Sequence, residues 1–332
     1  MKPNIITNYC TFKTALIMLC LFGAMNVGYG QDTTKQAAPQ DTASQNVQEQ
    51  TEQPAPATSK PVKSTFESIW ILDNQTVMVP IKGTFELDFM HRFGTWNTGY
   101  QGLYGLFSDI NMRLGFNYVP IEKLLVGLSL TQYRLAWEGY VKYALLTQTQ
   151  NGKIPVSVTY FGDVAYDTKT DPNGTLYPHS SDRFMFFNQL IIARKINDKF
   201  SVQVAPSITH VNSVNGYFTG DTTADGKSKI GKEMHHDHFA IAFSGKMKLS
   251  NTLNLLLNYD QPITKHFTNN PAPNLSAGLE INTSAHTFQV TIGNYFYITP
   301  SRNNYYNHTD PTGPNGLSQF RIGFNLTRLW NF

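Results

Sequence analysis

The sequence predicts an all-β fold, a closed antiparallel transmembrane β-barrel of about 12 strands, and three observations carry that prediction. Apolar and polar residues alternate with period two from residue 84 to the C-terminus. Most alternating runs are about nine to eleven residues long, enough to cross an outer-membrane apolar band at a tilt near 45°. The connections between them alternate between short and long, as periplasmic turns and extracellular loops do.

Composition narrows the field further. Charged residues make up 15% of the 332-residue chain, against roughly 25% in soluble globular proteins. Aromatics reach 13%, with 22 Phe and 17 Tyr. A mean hydropathy of −0.30 excludes a bundle of membrane-spanning helices. A net charge of +3 with no basic run excludes a nucleic-acid partner.

Residues 1–30 read as a secretory signal peptide. Lys2 and Lys13 form the basic region, residues 15–25 (ALIMLCLFGAM) the apolar stretch, and Gly28-Tyr29-Gly30 the small-residue cleavage site. A lipoprotein signal at Cys20 requires a small residue before the cysteine, where Leu19 stands. Cleavage removes Cys10 and Cys20, the only two cysteines, and with them any disulfide, thiolate metal site or cysteine nucleophile. Residues 31–63, rich in Gln, Thr, Ala and Pro and free of aromatics, form a disordered periplasmic leader. Residues 64–83 carry the apolar FESIWI and form a pre-barrel segment that either plugs the lumen or packs beneath it.

The barrel occupies 84–332, with strands expected near 84–93, 110–118, 124–133, 137–146, 155–164, 183–195, 200–210, 238–249, 253–260, 275–282, 286–294 and 318–332. In the last of these, Ile322, Phe324, Leu326 and Trp330 alternate with Arg321, Gly323, Asn325 and Thr327. Only the connection after the third strand is short where a long one is expected. An even strand number returns both termini to the periplasm. The competing fold is a water-soluble barrel or sandwich. Against it, the polar face is built of Gly, Ser, Thr, Asn and Gln instead of Lys and Glu. The apolar runs also tend to end in aromatics such as Tyr118, Trp137 and Tyr160, as membrane girdles do.

ELDFMHRFG (86–94), GLFSDINMRLGF (105–116), EGYVKYALLTQ (138–148), IPVSVTYFG (154–162), QLIIARKIN (189–197), AHTFQVTI (285–292) and FRIGFNLTRLW (320–330) resemble the block layout of a Bacteroidota membrane-bound outer-membrane β-barrel family of unassigned function. The resemblance spans 84–332 and implies an outer-membrane barrel in a Gram-negative bacterium. It transfers no catalytic or binding residue. Trp330 and Phe332 also resemble the terminal signal read by the barrel-assembly machinery, although Leu326 and Thr327 stand where a glycine is often found.

Candidate chemistry is sparse. His235, His236 and His238 form a candidate divalent-metal cluster, limited because neighbouring strand residues face opposite ways. The competing reading is a polar loop end entering a strand. GDTTADGKS (220–228) has the wrong spacing for a phosphate-binding loop and no helix to follow it. No Gly-x-Ser-x-Gly or His-Glu-x-x-His occurs, so no catalytic residue and no cofactor is assigned. Parity turns Glu86, Asp88, Arg92, Arg113, Tyr140, Lys142, Gln203, Lys246, Glu280 and Arg321 toward the lumen, because Arg or Lys facing mid-membrane lipid costs roughly 2–4 kcal/mol. A narrow pore or small-solute transport channel is therefore the leading function. A non-transport structural or assembly partner in an outer-membrane complex follows, and an outer-membrane enzyme comes third. The expected partners are outer-membrane lipid and, during insertion, the barrel-assembly machinery.

Overall fold

The structure, a computed structural model, describes residues 60–332 apart from 175, 315 and 332. The signal peptide, the leader up to residue 59 and Phe332 of the insertion signal lie outside the described residues.

The first strands, β1 (Trp70–Ile71) and β2 (Asn74–Gln75), form a small antiparallel hairpin ahead of the barrel. The wall begins with β3 (Thr84–Thr95), β4 (Asn111–Ile121), β5 (Leu124–Thr131) and β6 (Ala136–Leu146), followed by β7 (Ser157–Asp167), β8 (Phe184–Lys195) and β9 (Phe200–Val211). A second hairpin, β10 (Gly216–Thr222) and β11 (Ser228–Lys232), interrupts it as part of a long loop. The wall resumes with β12 (Asp237–Lys248), β13 (Leu253–Pro262), β14 (Asn274–Asn282) and β15 (His286–Gly293). Helix α1 (Pro300–Tyr306) lies in the connection to β16 (Arg321–Asn331). Twelve strands pair antiparallel into a closed barrel. The seam joins last strand to first, with Leu326 opposite Phe89 and Trp330 opposite Phe85. Closure leaves no strand edge unpaired, the condition for a sheet to cross lipid.

The two-residue period decides which way each side chain points. On β4, Leu114, Phe116 and Tyr118 face outward, while Arg113 and Asn117 face inward and are buried. Val141 and Tyr143, Leu190 and Ile192, Leu257, and Leu279 and Ile281 continue the outward apolar surface. Aromatics mark its margin at the seam, where the Phe85 and Trp330 rings lie 5.6 Å apart. Gly127 is required by its neighbour across the strands. Tyr140 lies opposite it, and a Cβ at 127 would stand 2.1 Å from the Tyr140 ring.

The connections sort by end. The β4–β5, β8–β9, β12–β13 and β14–β15 turns lie at one end, while the β3–β4, β7–β8, β9–β12, β13–β14 and β15–β16 loops lie at the other. The short β5–β6 connection at the long-loop end is a tight 3-10 turn, Tyr133–Leu135, with Arg134 at φ 57° and Leu135 at φ 47°. Left-handed backbone at non-glycine residues is strained.

Candidate functional site

The core of this protein is its lumen, and the pre-barrel hairpin occupies it. Phe66, Ile69, Trp70, Ile71, Leu72 and Val77 are all buried. Buried backbone groups must find partners, and the wall supplies them. Gln289 on β15 donates to the Trp70 carbonyl (2.9 Å) and Asn325 on β16 to that of Leu72 (2.6 Å). Lys142 on β6 donates to the Ile69 carbonyl (3.2 Å) and to Gln75 Oε1 (3.1 Å). Gln203 on β9 donates to the Gln75 carbonyl (2.7 Å), and Thr159 on β7 to that of Val77 (2.9 Å). At the hairpin tip Leu72 is left-handed, φ 60°, with its amide on Gln289 Oε1.

Two acidic centres anchor hairpin side chains. Asp88 Oδ2 accepts from Trp70 Nε1 (2.8 Å) and Asn117 (2.7 Å), with the Arg113 guanidinium 3.9 Å away. Arg113 also bonds Glu138 at 3.0 Å and lies 4.7 Å from the Trp70 ring. Asp260 accepts from Asn74, Asn258 and Asn274. Toward the short-turn end, Lys246 holds Glu67 (3.1 Å) and the Ser64 carbonyl (3.0 Å). From the long-loop end, α1 covers the tip. Its Asn303 donates to Asp73 Oδ2 at 2.6 Å, and Arg302 pairs with Asp167.

Of the sequence-expected lumen residues, Glu86, Asp88, Arg92, Arg113, Tyr140, Lys142, Gln203, Lys246 and Glu280 are buried on the inner face. Arg92 bonds Asn325, Tyr140 bonds Asn117, and Glu280 accepts from Asn254, Asn282 and Gln289. Arg321 instead lies half-buried at the mouth, 4.9 Å from the Phe296 ring. Trp330 faces outward beside Phe85, with the Arg328 guanidinium 4.8 Å from its ring. Glu138, Asn117, Asp260 and Gln289 went unnamed although they share the inward parity. Asp73 and Arg302 lie off the strands and Asn74 sits in the two-residue β2, where no period marks them.

The metal cluster is corrected. Among the described residues no group of three His, Cys, Asp or Glu is placed to hold a metal ion. His236 turns its Nδ1 to the Val211 carbonyl and stacks near His210. His238 points inward and bonds His266 at 2.9 Å, while His235 lies against Phe267. Residues 236 and 238 share strand parity, but β12 begins only at Asp237, so the strand does not hold the His236 ring beside that of His238. The loop carrying His266 supplies the ring that His238 meets.

A closed barrel with an apolar exterior and a hydrogen-bonded lumen defines a membrane β-barrel that crosses lipid with strands. The chain belongs to the family described as "Membrane bound beta barrel domain (DUF5777)", which matches residues 66–330. No curated protein matches it. Among solved structures it is similar to the KdgM porin, at 9% identity and TM-score 0.39, covering 74% of this chain and 99% of that one. It is also similar to an outer membrane channel from Pseudomonas putida F1, at 11% identity and TM-score 0.42, covering 76% of this chain and 97% of that one.

Proposed function

We propose that the protein is a narrow outer-membrane channel for small polar solutes that rests closed, with the hairpin of residues 64–78 as its stopper. The supporting observation is how the stopper is held. Lys142, Thr159, Gln203, Gln289 and Asn325 reach it through polar groups. A wall of that kind stays hydrophilic once the hairpin leaves, whereas a solid barrel filled only for stability is served by apolar side chains. In this reading the signal peptide exports the chain across the inner membrane of a Gram-negative, Bacteroidota cell. The assembly machinery then inserts it with both mature termini in the periplasm, and the role involves no catalytic step.

The filled resting lumen favours a second reading, a non-transport anchor or assembly partner in a membrane complex. Planar-bilayer recording separates the two. The channel reading expects rare openings from the full chain and steady single-channel current once residues 64–78 are deleted. Silence from a correctly folded deletion variant would leave the anchor reading standing.

A further inference from the structure

The long-loop mouth has a feature that closing the lumen does not require. A cavity of about 290 Å³ opens there between the β7–β8 loop, the start of β8 and α1. That volume lies near the lower end of small-molecule sites. Three guanidiniums line it, those of Arg134, Arg183 and Arg302, against two carboxylates, Asp167 and Asp182. Both carboxylates are already engaged. Asp167 accepts from Arg302 and Tyr177, and Asp182 accepts the His179 amide at 2.9 Å.

Arg134 reaches Tyr133, Tyr177 and Asp167, but the other two guanidiniums are less completely used. Arg183 bonds only the carbonyls of Asp167 and Lys169, both at 2.9 Å, and forms no ion pair among the described residues. Arg302 is 3% exposed, and its Nε makes no hydrogen bond among the described residues. Arg134 sits on the left-handed turn described above, beside a Leu135 that is 51% exposed, so apolar burial does not repay the strain there. The turn's evident product is the position of the Arg134 side chain, a pattern found where backbone strain serves a site. The Tyr177 ring lies between two of these cations, 5.6 Å from Arg134 and 4.6 Å from Arg183.

We infer that this mouth binds a monosaccharide-sized solute bearing one carboxylate. The lining carries one excess positive charge, and planar guanidinium forks match a planar carboxylate in two parallel hydrogen bonds. The tyrosines and backbone carbonyls around them suit the hydroxyls of a sugar ring. The site deepens the channel reading by naming what the entrance captures. It concerns capture alone, because the wall below is acidic in balance, with Glu86, Asp88, Glu138, Asp163, Asp260 and Glu280 against Arg92, Arg113, Lys142 and Lys246.

The test is calorimetric titration of the folded full chain with glucuronate, glucose and inorganic phosphate. Glucuronate should bind about tenfold to a hundredfold more tightly than glucose, the worth of one charge-assisted hydrogen-bond set. Phosphate should compete weakly. Arg183→Gln should lose about tenfold in glucuronate affinity, and Arg134→Lys, which keeps the charge without the fork, should also weaken it. Equal binding of glucose and glucuronate by the unaltered protein overturns the inference whether or not the variants fold, and so does phosphate binding as tightly as glucuronate. Binding without current in the deletion variant keeps the site and removes the channel; current without binding does the reverse.

Discussion

The two faces of the barrel strands obey different rules. Outward, Phe116, Leu257 and Leu279 share no partner-specific geometry; they need only be apolar, and many apolar residues would serve. Inward, on the same strands, Arg113, Asn258 and Glu280 each have named partners at hydrogen-bond distance. The outer face is specified by solvent, the inner face by neighbours. Substitutions should expose that asymmetry.

The largest effect is expected on the inner face. Arg113→Ala leaves Asp88 and Glu138 buried without their cation, and breaking such a pair costs about 3–5 kcal/mol. The urea midpoint of the detergent-folded barrel would report it, and a loss below about 1 kcal/mol would break the comparison. Next comes the outer face. Leu257→Arg should cost roughly 2–4 kcal/mol in lipid by the same measurement, whereas Leu257→Phe should be nearly silent. If the two behave alike, residue 257 does not face lipid.

The smallest effect lies in the long-loop region and depends on pH. Burial, aided by the neighbouring His235 and His308, pushes the His266 imidazole down to about 4 from an ordinary 6.5. Between those values the folded chain binds fewer protons than the unfolded one. The contribution of His266 is therefore whole above pH 6.5 and is lost as the pH falls through about 4. Protection from deuterium exchange in residues 263–273, taken relative to the intrinsic exchange rate at each pH, should fall as the pH drops through that window and stay flat in His266→Gln. Protection that is independent of pH in the unaltered chain would contradict the placement of this ring.

The wall was legible because lipid imposes one period on every strand. Each of the twelve expected runs overlaps a barrel strand, and their parity separates Phe116 from Arg113 and Leu279 from Glu280. The contents of the lumen were not legible in the same way. ITPSRNNYYN offers no amphipathic stripe, yet α1 forms there because Pro300 suits a helix start, Asp167 of the wall takes up Arg302, and Asp73 at the tip of the lumen hairpin takes up Asn303. The β10–β11 hairpin is almost wholly exposed, so its strands carry no buried face to betray them. The one short connection at the long-loop end was visible as an exception. Its meaning, a strained turn presenting Arg134, depends on partners at 167 and 177 that no local pattern brings together.

The segment inside the barrel enters and leaves by one door. Ahead of it, the Val62 amide bonds the Gln148 carbonyl at 2.8 Å, and Lys195 bonds the Lys63 carbonyl at 3.2 Å. Behind it, the Gly83 amide bonds the Val119 carbonyl at 2.9 Å. All three contacts sit on the rim where the short turns are. The finger can thus be drawn out without threading the chain through anything, and a tug on the polypeptide preceding Lys60 acts directly along it. On the channel reading, whatever unblocks this barrel needs a grip only in the compartment that the short turns face.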